Sequence, residues 1–142
     1  MTVVVDASVA AKWLFKENDS DKARYLLEGM ERRKLSLIAP ELLLVEIGSM
    51  LWKRAIREGV SVADAAAQYD RLIGLSLGLV RMAALVDRAF KLAVRHRHPI
   101  YDCVYLALAV EARCDLVTAD EKFHRAVGND FPRVRLLGDW QP

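Results

Sequence analysis

The sequence predicts an α/β fold in which a central parallel sheet is covered on both faces by helices. Two observations lead there. Short apolar or β-branched runs recur along the chain, and stretches with helical spacing separate each from the next. Strands alternating with helices are the pattern of parallel sheets, whose crossovers lay helices on the faces. With 142 residues the chain suits one compact domain spanning 1–142, without repeats, low-complexity tracts or linkers. A fold of this size removes about two-thirds of its extended-chain surface from water, enough for one sizeable core.

Taken in order, Thr2–Val5 is a β-branched run ending at an acid, as suits a strand buried on both faces. Ser8–Phe15 follows as a helix with no turn between. Asp19-Ser20 caps a second helix through Arg33, with Ala23, Leu26, Leu27 and Met30 at helical spacing. Leu35–Ala39 is the second strand, and Pro40 is placed as a first-turn residue of a long helix to Arg57, stopped by Gly59. Ser61 opens a further helix with Asp64 as its capping-box partner. Gly78–Met82 is a third strand, Ala84–Arg97 a helix cut off by Pro99, and Ile100–Arg113 a helix again. Asp115–Ala119, Asp120–Val127 and Val134–Leu137 complete the alternation as strand, short helix and strand.

Composition narrows the classes. An apolar fraction of 54% and a mean hydropathy of +0.11 are high for a soluble domain, so a partner is expected to cover some apolar surface. The net charge of +2 neither announces nor excludes a nucleic-acid partner, because distribution matters more than the sum. No secretory leader is expected, since Val3–Val5 runs straight into Asp6 with no basic segment before it. Runs such as Leu42–Val45 and Val104–Val110 fall far short of the roughly 20 apolar residues of a membrane span. Cys103 and Cys114 fall in one predicted helix, about 16 Å apart, too far to bridge. They suit a reducing cytoplasm as small buried hydrophobes. Trp13 and Trp52 sit among apolar helix residues and are expected in a core or interface; Trp140 is expected to pack the tail.

Four carboxylates stand where a fold alone would not put them. Asp6 ends the first strand and Asp120 follows Leu116–Ala119 in the same relation to a later one. In open parallel sheets ligands bind outside the carboxyl ends of strands, where the strand order reverses. Glu46 shares a helix face with Leu43, Ile47 and Met50, and a carboxylate on an apolar stripe is costly to bury alone. Asp102 shares its face with Tyr105, Leu106 and Ala109, in a first turn where the helix dipole favours the ionised form. Taken singly, Asp102 and Asp120 also read as helix caps, and Glu46 as half of a buried ion pair. Brought together, four ionised carboxylates would raise one another's pKa unless a cation neutralised them. All-oxygen ligation selects a hard ion, Mg²⁺ or Mn²⁺, over zinc.

The blocks Val3-Val4-Val5-Asp6-Ala7-Ser8, Glu46 within Pro40–Leu51, Ile100–Ala109 around Asp102, and Leu116–Phe123 around Asp120 resemble the signature blocks of PIN domains. More narrowly they resemble VapC-like toxins of prokaryotic toxin–antitoxin pairs, in order from end to end, with Val134–Trp140 similar to the end of that family. The resemblance implies a three-layer α/β/α sandwich with a parallel sheet of four or five strands. It implies an endoribonuclease dependent on Mg²⁺ or Mn²⁺, an RNA substrate, an antitoxin that blocks the site, a homodimer and a cytoplasmic setting. Residue by residue, Asp6, Glu46, Asp102 and Asp120 match the family's catalytic, metal-holding acids. Ser8 and Thr118 match hydroxyl positions that orient them. Glu121 matches poorly as a water-mediated ligand and reads as a surface acid.

Cations are expected to grip RNA, because bare carboxylates repel it. Arg88, Lys91 and Arg95 recur along one helix face, with Arg97 and His98 beyond, and Lys53, Arg54 and Arg57 form a second cluster. The three histidines lack metal-binding spacing, no glycine-rich phosphate loop is present, and Ser8 has no nucleophile-elbow motif. A receiver-type signalling domain would need adjacent acids after the first strand and an acceptor aspartate after the third. Asp6 stands single, and Gly78–Met82 ends without an acid. The remaining alternative is an interaction protein that keeps the PIN scaffold without catalysis.

Overall fold

The computed structural model describes residues 1–141. Its elements, in chain order, are β1 (Thr2–Val5), α1 (Ala7–Leu14), α2 (Ser20–Glu31), β2 (Ser36–Pro40), α3 (Leu42–Arg57), α4 (Val62–Ile73) and β3 (Gly78–Val80). A 3₁₀ turn at Met82–Ala84 leads to α5 (Val86–His96), α6 (Ile100–Ala112), β4 (Asp115–Thr118), α7 (Glu121–Val127) and β5 (Val134–Leu136). The five strands form one parallel sheet in the order β3-β2-β1-β4-β5. The α/β/α expectation thus holds, with five strands.

Strand order explains the layers. The chain steps from β1 to β2 to β3 in one direction, then crosses back to place β4 on the other side of β1. Right-handed crossovers then put α1–α4 on one face and α5–α7 on the other. The order reverses between β1 and β4, and a crevice opens outside their carboxyl ends. Val3, Val4 and Val5 of the central strand are fully buried, as a strand covered on both faces requires. Helix α6 packs on β1, β2 and β4 and buries Cys103 through Ala109 without a break.

Several boundaries depart from expectation for local reasons. Pro40 is the last residue of β2, paired in register with Val80, rather than a first-turn helix residue. The register of β1 against β2 runs only from Thr2↔Ser36 to Val4↔Ile38, so no N–H is needed from residue 40 on that side. Asp19 does not cap α2 with its side chain; its backbone is left-handed (φ 60°) and its carboxylate pairs with Lys22 at 3.3 Å. The Ser20 hydroxyl folds back instead, donating to Phe15 O at 3.1 Å and accepting from Glu17 N–H at 2.9 Å. Strand β3 stops at Val80 because the next residues tighten into the 3₁₀ turn, which also delays α5 to Val86. Ser61 caps α4 as expected, its hydroxyl accepting from Asp64 N–H at 3.0 Å.

Trp13 is buried and donates Nε1–H to Ala23 O at 2.8 Å, pinning α1 to α2. Trp140 is buried against the core, whereas Trp52 is 56% exposed and therefore outside it. Cys103 lies in α6, Cys114 lies just past its end, and both are buried free thiols. Replacing fully buried Val4 with threonine keeps the shape of the side chain but adds a hydroxyl to an apolar layer. The expected cost is about 1–3 kcal/mol, read as a lower urea midpoint with an unchanged m value.

Candidate active site

The acids are placed by the ends of elements. Asp6 follows β1 directly and serves as N-cap of α1, its Oδ1 accepting Val9 N–H at 3.1 Å and the Ser8 hydroxyl at 2.5 Å. Asp120 follows β4 by two residues and caps α7, its Oδ1 accepting Phe123 N–H at 2.9 Å. The two strand ends are stitched together by hydroxyls. Ser8 Oγ accepts Ala119 N–H at 2.8 Å and lies 3.4 Å from Thr118 Oγ1, which accepts Asp120 N–H at 3.0 Å.

Glu46 lies in the second turn of α3, and its Oε2 accepts the Tyr105 hydroxyl at 2.6 Å. Asp102 lies in the first turn of α6 without capping it, its Oδ2 held by His98 Nε2 at 2.6 Å. Helix α6 therefore supplies one acid and, a turn later, the donor that fixes another. The second oxygens of Glu46, Asp102 and Asp120 carry no hydrogen bond among the described residues. Asp6, Glu46, Asp102 and Asp120 all line one cleft of about 330 Å³, with Ser8, Ser49 and Met50. A larger cavity of about 530 Å³ lies toward the far end of α6, walled by Leu106, Val110 and Phe131, and holds none of the four.

Among the described residues no Lys or Arg forms an ion pair with any of the four acids. The buried-ion-pair alternative for Glu46 thus falls to a neutral phenol. Burial pushes the Asp6 carboxyl, 4% exposed, up to about 6; bonds from Ser8, Thr118 and Val9 hold it down and the Asp102 charge adds to the rise. Burial also raises Glu46, opposed by the Tyr105 bond and reinforced by Asp102. Buried Tyr105 is raised far above an ordinary phenol, first by burial and then by Glu46, so it stays a donor.

Sequence reasoning missed Tyr105 and His98 as partners of the acids. In the sequence Tyr105 reads only as part of the apolar face of Asp102, and nothing local pairs its hydroxyl with Glu46. The signal for His98 was its place four residues before Asp102. It is buried, tilted over the Phe123 ring at 5.0 Å, and so links the anchors of Asp102 and Asp120. Arg88, Lys91 and Arg95 each sit in an ion pair, with Glu111 (3.7 Å), Asp87 (2.8 Å) and Asp130 (3.4 Å) respectively. Glu121 is exposed, pairs with Arg125 at 3.6 Å, and does not line the cleft.

The PIN domain family matches residues 3–129. Ribonuclease VapC3 of Pyrobaculum aerophilum is 30% identical over 137 residues, 94% of this chain and 98% of that protein. The crystal structure of PAE2754 from Pyrobaculum aerophilum superposes with a TM-score of 0.71 at 24% identity, covering 97% of this chain and 93% of the other. A toxin–antitoxin complex from Klebsiella pneumoniae contains a chain of the same fold, with a TM-score of 0.65 at 16% identity, covering 95% and 97%. The chain belongs to the PIN-domain family, in its VapC ribonuclease branch.

The donor set suits a hard divalent ion. All four acids would offer oxygen, and among the described residues no Lys or Arg contacts them. Among the described residues no three His, Cys, Asp or Glu side chains are already drawn around a single point. Each carboxylate instead rests on its own donor, which suits an ion that keeps several waters between itself and its ligands, as Mg²⁺ does.

A carboxyl whose folded pKa is raised favours folding while protonated and loses that contribution as pH climbs through the folded value. For Asp6 the window runs from its ordinary 3.8 to about 6, a cost of roughly 3 kcal/mol to the metal-free protein above it. Asp6→Asn keeps the acceptor oxygen and removes the charge. In EDTA the variant is expected to melt above the wild type at pH 8 and level with it at pH 4.

Proposed function

We propose that this ribonuclease is the toxin of a toxin–antitoxin pair and cuts RNA phosphodiester bonds with Mg²⁺ or Mn²⁺ held by Asp6, Glu46, Asp102 and Asp120. One observation carries the reading: four carboxylates from four elements line one cleft at the sheet's reversal point, with no Lys or Arg paired to them among the described residues. A divalent ion bound there supplies positive charge against that building on the phosphoryl oxygens during hydrolysis.

The chain's own residues hold the cleft ready. Ser8 and Thr118 lock the ends of β1 and β4 together, so Asp6 and Asp120 keep a fixed relation. His98 and Tyr105 each tether one oxygen of a carboxylate and leave its second oxygen for a ligand, the arrangement that sharpens metal sites from behind. Asp6, deepest of the four and raised by burial, gains most from a cation and sets the floor of the site.

The whole described chain acts as one PIN domain, and we place it in the cytoplasm, where its buried thiols stay reduced. Val45, Trp52 and Ile56 are exposed along α3, leading away from Glu46, and suit an apolar antitoxin segment that lies over the cleft. Phe90 and Val94, one turn apart on α5, are exposed as well and suit a homodimer contact.

The test is cleavage of single-stranded RNA by the purified protein with Mn²⁺, abolished by EDTA. Asp102→Asn keeps an acceptor for His98 and is expected to stay folded while cleavage falls by about 100-fold or more, beyond the loss typical of a residue that merely supports a ligand. Undiminished cleavage by the folded variant overturns the assignment. Tyr105→Phe, which deprives Glu46 of its donor, is expected to weaken Mn²⁺ binding by about 10-fold or more, read by electron paramagnetic resonance.

A further inference from the structure

A second cleft lies beside the acids and carries the opposite charge. It measures about 340 Å³ and is lined by Lys12, Lys16, Arg24 and Arg71, brought in from α1 and its end, α2 and α4. Phe15 walls it, and the Arg54 guanidinium lies over that ring at 3.6 Å from the centroid. Lys12 pairs with Glu17 at 3.3 Å, and Arg54 reaches Glu17 at 3.8 Å and Glu58 at 4.0 Å. Among the described residues Lys16, Arg24 and Arg71 have no acidic partner. Five cations against two carboxylates leave a local excess of three charges in a chain whose whole net charge is +2.

Helix α1 lines both clefts, with different residues at each. Helices α1 and α3 touch, and both start at carboxyl ends of strands, so they lead away from the acids side by side. On α1, Ser8 lines the acidic cleft and Lys12, four residues later on the same face, lines the basic one. On α3, Glu46 and Met50 line the acidic cleft and Arg54 follows at the same spacing. Eight residues of helix separate Glu46 from Arg54, about 12 Å at the usual rise. Along α1 and α3 the surface therefore passes from the four acids to Lys12 and Arg54, which share Glu17, and on to Lys16, Arg24 and Arg71, which have no acidic partner among the described residues.

We propose that this basic cleft binds the sugar–phosphate backbone of the RNA strand whose cleaved phosphodiester lies at the acids, an inference that rests on the ribonuclease reading above. A strand held at the acids alone meets only repulsion, and its neighbouring phosphates need countercharge. Lys16, Arg24 and Arg71 supply it with no acidic partner among the described residues, whereas Arg88, Lys91 and Arg95 are each engaged with an acid. The polar lining is mostly cationic, and its one hydroxyl, Ser20, is already bonded to Phe15 O and Glu17 N–H, which suits phosphate positioning rather than sequence recognition.

The experiment is fluorescence anisotropy of a labelled oligouridylate against the full chain in EDTA, across a salt series. Lys16→Ala/Arg71→Ala is expected to weaken binding by about 10-fold and to flatten the slope of log affinity against log salt by about 1.4, the value for two single-strand phosphate contacts. Mn²⁺ affinity and thermal midpoint are expected to match the wild type. Unchanged RNA affinity overturns the proposal, and tight binding of polyglutamate in that case gives the cleft to an acidic protein segment. An equal loss in Arg88→Ala/Lys91→Ala also overturns it. A wild type that binds oligouridylate through these residues but cuts no RNA with Mn²⁺ removes the ribonuclease reading and leaves the phosphate cleft standing.

Discussion

Uncompensated negative charge at the reversal point of the sheet is the constraint around which the remaining structure is arranged. Placing carboxylates together in a partly buried cleft is unfavourable, and salt bridges would remove the cost at once by filling the site with a protein cation. This chain uses no lysine or arginine among the described residues but hydrogen bonds: the hydroxyls of Ser8 and Thr118, a phenol, the His98 ring and the first amides of two short helices. Hydrogen bonds of this kind fix the acids and leave their charge available. The raised Asp6 carboxyl records what burial still costs.

The rest of the fold follows from the need to hold those donors still. Val3–Val5 and Leu116–Thr118 are buried on both sides, so the strand ends from which Asp6 and Asp120 project have little freedom. Helix α6 is apolar almost all round, which lets it lie against three strands while carrying Asp102 at its exposed start and Tyr105 one turn deeper. Phe123 serves twice, with its amide capping Asp120 and its ring supporting His98. Anchors of two acids from different elements thus share one fully buried side chain.

Much of this was legible in the residues. The parallel sheet was readable because its strands are short apolar runs separated by helical spacing, and each acid was conspicuous because it interrupted or ended such a run. What stayed hidden depends on contacts between distant positions. Glu46 and Tyr105 are 59 residues apart, and Ser8 and Ala119 are 111 apart. No local pattern signals either pairing. Pro40 was misplaced because its role depends on where β1 ends beside it, a fact of register rather than of sequence. The basic cleft was invisible for the same reason: Lys12, Lys16, Arg24 and Arg71 form no run, whereas Arg88, Lys91 and Arg95 do, and spend their charge on nearby acids.

The way each carboxylate rests on a donor from its own neighbourhood bears on the order of assembly. In small zinc modules the ion is a structural member, and stripping it melts the chain. Here the acids also serve the fold: Asp6 and Asp120 are helix caps, and a hydroxyl stitch joins β1 to β4. On the function proposed above, chelation removes the activity without taking any of these hydrogen bonds, so that one folded population is switched off and on by the supply of a cation rather than by synthesis and decay.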